Sequence, residues 1–431
     1  MRNIGNRIGK SITHAAASGG VFNTLQQFVF NVQNLWRNDN GTIHLQGPVI
    51  RYNDLNLAPD TPPVLGPDKT PGTPYPTGPL GEDTPENRYN WTYYKGNYSY
   101  TILERPQTFT ISGGGMDIDY FIVAGGGAGG CSVYGPVSDY DHASGLKSEG
   151  GGGGGGGVIN GTLFFGEGEY RCQVGQGGRV AQGTTSNSEL ALSIIPGSGQ
   201  PSYIEGPADF PGKLESIGGG AGASAHHYQW TNGTHPDTPL SIRQKRVAQP
   251  GGSGGGGCSA RPAESPGTDH LLGAPGIDGQ GKNGGNGHPN VSTHGVGGGG
   301  GGASSSPLIF SSPPDLIKIR AAGGTGIKYM YANPPTFVED FPDRWGEAYP
   351  GTNGKERWFG GGGAGGRDGG ASGGRGGGGP TEPFVDERVG TPGRYASGGG
   401  GGAGRFQPTT DGDQMSTGQG GPGIIILRYL T

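Results

Sequence analysis

Three glycines in the sequence have the spacing of a phosphate-binding turn. Gly125, Gly127 and Gly130 fit the pattern G-x-G-x-x-G, and they follow the apolar run at 119–123. In dinucleotide-binding proteins this turn precedes a helix whose N-terminal amides hold a pyrophosphate. Residues 131–140 read CSVYGPVSDY, which is not typical of a helix. Because a chain with 99 glycines matches the pattern by chance, we predict no nucleotide and no other cofactor.

A second group of residues has the types, but not the spacing, of a metal site. His226 and His227 are adjacent, and Asp237 follows in the same segment. Adjacent side chains point in different directions along an extended chain, whereas zinc ligands must converge on one ion. We therefore expect solvent-facing histidines and no bound metal.

The acidic residues do not form a recognisable catalytic set. Asp139, Asp141 and Ser148 form no nucleophile set, and the adjacent Glu339 and Asp340 are typical of a solvated loop. A polysaccharide-degrading enzyme would need paired carboxylates, here clustered on a long repetitive β-scaffold. Because the sequence lacks such a cluster, we predict a binding protein and not an enzyme, and a depolymerase is the least favoured alternative.

Aromatic side chains are the most promising binding groups in the sequence. Rigid rings give contact area at a small cost in conformational entropy, and they dominate binding surfaces. We predict a receptor-binding surface in the segments 131–149 and 223–250. Its residues are Tyr134, Tyr140, His226, His227, Tyr228 and Trp230. A third aromatic segment, 325–359, is compatible with either a binding surface or a small local core.

Glycine blocks must position these segments. Glycine supplies 99 of 431 residues, against an average of about 7%, and hydrophobic residues supply only 30%. A large aliphatic core is therefore not expected. The blocks alternate with aromatic and β-branched runs, which disordered chains lack. The main blocks are Gly125–Gly130, Gly150–Gly157, Gly218–Gly220, Gly254–Gly257, Gly297–Gly302, Gly360–Gly363, Gly376–Gly379 and Gly398–Gly402.

Polyglycine favours one regular conformation. It is poor in α-helices and strands, which leaves the polyproline II helix, with three residues per turn and no internal hydrogen bonds. Several such helices satisfy one another's amides only if no side chain separates them. We predict a mainly β and irregular fold in which packed polyproline-II-type glycine helices are flanked by short β-strands. Within 273–287 glycine recurs at every third residue in two runs, which predicts a helix at the edge of this bundle. The runs are Gly273, Gly276 and Gly279, and Gly281, Gly284 and Gly287.

The first 58 residues predict a small helix/β module that anchors the protein. Residues 21–36 have helical spacing on one apolar face, and this stripe needs a partner, either other copies, another protein or the chain's own sheet. Its residues are Val21, Leu25, Phe28, Val32, Leu35 and Trp36. Residues 42–45 and 49–52 are predicted to form a strand pair. A proline-rich spacer at 59–92 then leads to the glycine-rich domain at 93–431.

Charge and hydropathy bear on the partners. The net charge is −5 with no basic stripe, so we expect no nucleic acid. No apolar run approaches about 20 residues, so we expect no membrane insertion. The first residues lack the apolar core of a secretory signal peptide. Three cysteines, an odd number without metal spacing, do not indicate a disulfide framework.

Three signatures, in order, resemble the glycine-rich domain of phage tail-fibre proteins. They are TFTI at 108–111 with DYFIVAGGG at 119–127, the block at 150–159 with GEYRCQVGQGG at 168–178, and GGPGIIILRY at 420–429. The likeness covers 98–431, about three quarters of the chain. It implies a sandwich of polyglycine helices at the tip of a fibre, with loops that contact the host surface. The segment 325–359 does not fit the family pattern.

The resemblance also implies a location and partners. The protein would be a tail component of the virion, assembled in the host cytoplasm. Its partners would be a host surface glycan or outer-membrane protein and other tail proteins, and we expect a homotrimer. The alternative is a structural or decoration protein of the virion without a receptor.

Overall fold

The structure is a computed structural model that describes four N-terminal strands and most of the glycine-rich region. The described residues are 36–37, 43–44, 49–52, 90–95, 98–112, 114–133, 149–180, 196–224, 247–259, 272–288, 296–307, 321–329, 345–348, 356–366, 370–381, 390–407, 414–415 and 417–430. Within these ranges the chain forms strands, turns and extended glycine segments, and no helix. The prediction of a mainly β chain is confirmed.

The described residues form short strands. They are β1 (Trp36–Arg37), β2 (Ile43–His44), β3 (Val49–Tyr52), β4 (Asn90–Lys95), β5 (Tyr98–Leu103), β6 (Gln107–Ser112), β7 (Met116–Val123), β8 (Cys131–Val133), β9 (Val158–Phe165), β10 (Gly168–Gln173), β11 (Ser202–Glu205), β12 (Lys213–Ser216), β13 (Ile327–Lys328), β14 (Glu347–Ala348), β15 (Arg357–Phe359), β16 (Gly404–Gln407), β17 (Gln414–Met415) and β18 (Ile424–Leu430).

Two five-stranded antiparallel sheets form a sandwich. The central sheet has the order β4-β5-β18-β7-β9, and the outer sheet has the order β12-β11-β10-β6-β3. Their facing side chains form one buried cluster that includes Phe109, Phe165, Tyr170, Ile425 and Leu427. The rings of Phe109 and Tyr170 stack with centroids 5.0 Å apart. The sandwich therefore supplies a compact aromatic and aliphatic core.

The central sheet is covered on both faces. Its second face packs on an insert sheet of order β13-β15-β14. Tyr329, Trp345 and Phe359 are buried in this interface, and Tyr329 and Phe359 meet the ring of Phe121 edge-on. A strand that is buried on both faces has a continuous hydrophobic run. This arrangement explains why β18 begins with the residues IIIL.

An ion pair lies farther out on the second face of the central sheet. Arg428 Nη2 lies 2.5 Å from Asp119 Oδ2, and the two side chains are only 14% and 15% exposed. Thr162 donates a hydrogen bond to Asp119 Oδ1, and the Arg428 guanidinium lies over the ring of Tyr98. The pair therefore closes the buried part of this face.

The glycine blocks extend from the central sheet and exchange backbone hydrogen bonds with one another. Segment 150–157 is buried among them. Three successive amides donate to three different neighbouring segments, and the next three amides donate to the same three segments in the same order. The donor–acceptor pairs are Gly151–Ala223, Gly152–Gly298, Gly153–Gly401, Gly154–Gly220, Gly155–Gly301 and Gly156–Gly398, at 2.7–2.9 Å. The hydrogen bonds therefore have a period of three residues.

The carbonyl oxygens of segment 150–157 accept hydrogen bonds from three further neighbours. The amides of Gly127, Gly256 and Gly363 donate to three of these oxygens at 2.8 Å each. The segment is thus surrounded by three accepting and three donating segments. We name the set of hydrogen-bonded glycine segments the array. Its bonds replace the water that burial removes from bare backbone.

Close approach explains the need for glycine in segment 150–157. A methyl group on any residue from 151 to 156 would overlap a backbone carbonyl of a neighbouring segment. At Gly154 these carbonyls belong to Ser253 and Gly254, and the second oxygen would lie 2.8 Å from the added carbon, inside the 3.0 Å that real Cβ atoms respect. Only a residue without a side chain fits there.

Segment 272–288 forms an edge of the array. Gly281 and Gly284 are buried, whereas Ile277 and Asp278 are exposed. The segment is therefore exposed on one side, as an edge should be. The predicted edge helix is not continuous, however, because a turn at 278–280 divides the segment, and the glycines of the first run, Gly273, Gly276 and Gly279, are not buried.

Side chains complete the hydrogen bonding of this edge segment. Asn283 Oδ1 accepts from the amide of Gly276, and Asn286 Oδ1 accepts from the amide of Gly273, both at 2.9 Å. The two asparagines therefore take the place of a further glycine segment.

The N-terminal strands pair differently from the prediction. The segments 42–45 and 49–52 do not pair with each other, because β2 pairs with β1 and β3 pairs with β6 of the outer sheet. The edge of β6 offers β3 a ladder of four residues, whereas β2 has only two. Trp36, which the pattern places at the end of a helix, lies in strand β1. The predicted N-terminal module thus contributes a strand to the glycine-rich domain.

Candidate functional site

The array has two ends that differ in what they carry. At one end, which we name the sheet end, Gly157 leads into β9 and Gly423 leads into β18 of the central sheet. At the other, which we name the loop end, segment 150–157 begins beside the stems of several connections. Connections between the elements of a rigid scaffold are where binding residues usually lie, so the loop end is the candidate functional site.

The two segments predicted to bind a receptor leave the array side by side. The amide of Cys131 donates to Ser224 Oγ at 3.1 Å, and the amide of Gly151 donates to the carbonyl of Ala223 at 2.8 Å. These contacts join both stems of 131–149 to the first stem of 223–250. The two segments therefore leave the array at the same end.

Buried hydroxyl groups hold the stems together. Ser259 Oγ accepts from the amide of Glu149 at 2.7 Å, and the amide of Ser259 donates back to the Glu149 carbonyl at 2.9 Å. Ser224 and Ser259 are both buried. Each stands just beyond a glycine block, where the backbone leaves the array and its next amide needs a new acceptor. Sequence reasoning missed these residues, although a serine near the end of a block is a visible signal.

Other stems reach the same end. The amide of Gly366 donates to the Gly150 carbonyl, and the amide of Gly404 donates to the Gly130 carbonyl. From Gly404 the chain enters β16, which pairs in parallel with β8 and antiparallel with β17. Segments flanked by residues of the loop end are 134–148, 225–246, 260–271, 289–295, 367–369 and 408–413. The loop end is therefore a shared base for several connections.

The individual residues predicted to contact a receptor are not described. Tyr134, Tyr140, His226, His227, Tyr228 and Trp230 lie outside the described residues, as do Val21, Leu25, Phe28, Val32 and Leu35 of the apolar stripe. The structure brings together the stems of their segments and tests none of these side chains. The histidine pair with Asp237 and the acidic residues at 139, 141, 339 and 340 lie outside the described residues too.

The aromatic segment 325–359 lies at the opposite end of the array. Of its described aromatic residues, Tyr329, Trp345 and Phe359 are buried against the central sheet, and Trp358 is half-buried under Arg375. Trp345 Nε1 also donates to the carboxylate of Glu104. The described part of this segment forms a local core, which is one of the two interpretations that the sequence left open.

The glycines with nucleotide-binding spacing have their amides occupied. Gly125, Gly127 and Gly130 donate to the carbonyls of Gln200, Gly154 and Gly151 at 2.7–3.1 Å. Strand β8 follows directly, in the place where a dinucleotide fold has a helix. These amides therefore serve the array and do not face a phosphate.

The three cysteines are buried thiols. Burial raises the pKa of Cys172 well above its usual range and raises the pKa of Cys258 to about 12. A thiol with a raised pKa is a poor nucleophile and a poor metal ligand at neutral pH. Across the described ranges no three His, Cys, Asp or Glu side chains lie close enough together to hold a metal ion.

Comparison with known sequences identifies the family. Among the described residues no helix is long and apolar enough to span a membrane. A search of curated proteins finds no match to the chain. The family model described as a glycine-rich domain matches residues 103–430, which include the array and most of both large sheets. The chain therefore belongs to the glycine-rich domain family.

Proposed function

We propose that this protein is a phage tail-fibre or tail-tip adhesin that binds a host surface receptor through segments at the loop end. The observation that carries the proposal is the shared base of the stems, where Cys131, Glu149, Ala223 and Ser259 are tied together by hydrogen bonds. Such a base presents several chain segments on one surface, which suits recognition rather than catalysis. No catalytic residue enters this proposal.

The array would act as a rigid support in this function. We infer that its segments are polyproline II helices, because the three-residue period of hydrogen bonds in segment 150–157 equals the turn of that helix. Six bonded neighbours leave such a helix little freedom to bend. A rigid support lowers the entropy that binding must overcome, since the loop stems are already fixed.

The sheet end would face the virion. Strand β3 joins the outer sheet at that end, so the N-terminal region enters opposite to the loop end. In this proposal residues 1–58 attach the protein to other tail proteins, residues 59–92 act as a spacer, and the adhesin assembles as a homotrimer. A chain truncated before Asn90 loses β3 and should fail to enter particles. Normal incorporation of that truncated chain would refute the anchor.

The ligand would be a surface glycan or an outer-membrane protein. Segment 223–250 supplies His226, His227, Tyr228 and Trp230, and segment 131–149 supplies Tyr134 and Tyr140. Aromatic faces can stack on sugar rings, and imidazole and phenol groups can hydrogen-bond their hydroxyls.

An adsorption assay tests the proposal. We expect the double variant Tyr228→Ala, Trp230→Ala to form intact particles with unchanged melting temperature and to adsorb to host cells at least about tenfold more slowly, since aromatic hot spots are worth about 2 kcal/mol or more. The matched control is Glu169→Ala, Arg171→Ala on β10, whose side chains are exposed at the sheet end. Unchanged adsorption by the aromatic double variant would move the site away from these rings.

Two other functions give different results in the same system. A structural component of the virion without a receptor predicts that exchange of entire loop segments leaves host range unchanged. A polysaccharide-degrading enzyme predicts that incubation with host polysaccharide releases oligosaccharides. The adhesin proposal predicts altered host range and no release.

A further inference from the structure

The second face of the central sheet ends in an exposed row of side chains. Leu430 lies opposite Tyr98 of β5, and Phe164 lies opposite Asp117 of β7. Phe164 is 59% exposed and Leu430 is 53% exposed, the two highest values among the large hydrophobic residues described. We name these four residues the base row. It lies at the sheet end, beyond the ion pair that closes the buried part of the face.

The N-terminal region reaches the fold beside the base row. Val49, the first residue of β3, lies opposite Ser112 at the end of β6. From Ser112 the chain turns through Gly115 into β7. A methyl group on Gly115 would overlap the ring of Phe164. Val49 therefore lies at the end of β6 that leads into the turn beside Phe164.

The first 35 residues have a composition that complements the row. Their apolar stripe consists of Val21, Leu25, Phe28, Val32 and Leu35. The same 35 residues contain two arginines and one lysine and no acid, whereas Asp117 in the base row is an exposed acid. Because Trp36 pairs with His44, the chain folds back between β1 and β2, and only residues 45–48 separate that pair from Val49. An extended chain covers about 3.3–3.6 Å per residue, so this short connection brings the end of the stripe at Leu35 within reach of the row of its own chain.

We propose that the apolar stripe docks on the base row of the same chain and covers Phe164 and Leu430. Phe164 and Leu430 are exposed apolar side chains and the stripe is apolar in sequence, and a contact within one chain avoids the entropy cost of bringing two molecules together. Of the three partners that the sequence left open for the stripe, the proposal selects the chain's own sheet, and it leaves attachment to other tail proteins to the rest of residues 1–58. It does not depend on the receptor function, because the base row and the loop end lie at opposite ends of the array.

Photocrosslinking in the full-length protein tests this contact. The probe p-benzoylphenylalanine is incorporated in place of Phe164, and the irradiated protein is separated on a denaturing gel and digested with trypsin. Cleavage after Lys10 and Arg37 releases the whole stripe in one peptide, 11–37, and the probe lies on the peptide 148–171. We expect the two peptides to be joined in the band that migrates as a monomer.

Other crosslinking results would overturn the proposal. A joined pair in the dimer band would show that a second copy covers the row. Products with other peptides, or no product, would show that the stripe does not lie there. The control carries the same probe in place of Ile277, which is exposed at the edge of the array. Equal capture of peptide 11–37 from that position would indicate indiscriminate contact and would also refute a specific site.

Limited proteolysis provides an independent measurement. In the full-length variant Phe164→Asp we expect trypsin to cut after Arg37 about tenfold faster, because loss of docking exposes the segment to the protease. The matched control is Leu272→Asp, which introduces the same charge at a residue that is 49% exposed on the array edge. A cleavage rate for Phe164→Asp equal to that of the control would refute docking on this row.

Discussion

Replacement of Gly154 by alanine tests the principle on which the array is built. The added methyl group would overlap the Ser253 carbonyl and would lie 2.8 Å from the Gly254 carbonyl. To restore ordinary contact, one segment must move by about 1 Å. Movement in any direction meets another bonded segment, because segment 150–157 has neighbours on all sides.

The expected cost combines two contributions. Overpacking of a close-packed interior costs about 1–3 kcal/mol. The displaced backbone also strains the bonds from Gly154 to Gly220 and from Gly127 to Gly154, each worth about 1 kcal/mol. The lower entropy of an unfolded chain with alanine returns about 0.4–1 kcal/mol. We therefore expect a loss of about 2–4 kcal/mol and a fall in Tm of roughly 2 °C for each kcal/mol.

Thermal and urea denaturation of the full-length protein measure this loss, and two variants serve as controls. Gly166→Ala makes the same chemical change where the nearest atom, Asp209 Oδ2, would lie at an ordinary 3.5 Å. Asp278→Ala alters an exposed side chain of the edge segment. Both should stay within about 0.5 kcal/mol of the natural protein. If Gly154→Ala is as mild as these two, segment 150–157 is not close-packed and the account of the array is wrong.

Three further predictions concern residues outside segment 150–157. Arg428→Met should lower the free energy of unfolding, measured by urea denaturation, by about 2–3 kcal/mol, because Asp119 loses its partner where both side chains are mostly buried. The control Lys328→Met, at the more exposed ion pair with Glu356, should lower it by less than about 1 kcal/mol. Equal losses in the two variants would contradict the assigned difference in burial. Ser259→Ala should lower the free energy of unfolding by about 1–2 kcal/mol, because the buried amide of Glu149 loses the hydroxyl that accepts its hydrogen bond. Ser259→Thr keeps a hydroxyl and should therefore lower Tm less than the alanine variant does. An unchanged Tm for Ser259→Ala would count against the stem contact. Since burial raises the pKa values of Cys172 and Cys258, unfolded thiols ionise before folded ones, so the stability that they contribute is complete below the ordinary thiol pKa of 9.0 and declines as pH rises toward about 12. Tm measured across this range should fall less in the Cys172→Ala, Cys258→Ala variant, and an identical decline would exclude the thiols as its cause.

The sequence predicted the parts of the fold that depend on local composition. The apolar run at 119–123 lies in β7 and the run at 424–429 lies in β18, as expected for the short β-strands predicted to flank the glycine segments. The alternation of glycine and side chains in 273–287 indicated an edge position, because a side chain has room only where no neighbouring segment lies, but it did not reveal the turn at 278–280. These signals are local and remain readable without knowledge of the partners.

The pairing of distant segments could not be predicted in the same way. Glycine blocks have nearly identical sequences, so nothing in the block at 150–157 indicates that it donates to residues near 220, 300 and 400. The strand pair predicted for 42–52 failed for a related reason, because the edge of β6, a better partner for β3, is far away in sequence. The serines at the loop end were missed because their role depends on which carbonyls and amides the array leaves unsatisfied.

The edge asparagines have a consequence for how wide the array can become. Bare backbone has donors and acceptors on every side, so a bundle of glycine segments resembles a growing crystal, in which each added row creates sites for the next. Asn283 and Asn286 occupy two such sites with amide oxygens carried on their own chain. The surface that the two asparagines leave is uneven and polar. A glycine segment of another molecule could pack against it only if the hydrogen bonds of Asn283 and Asn286 were broken. At these two positions the edge of the array is closed by the same chain, where an open edge would invite the sideways addition that produces fibres.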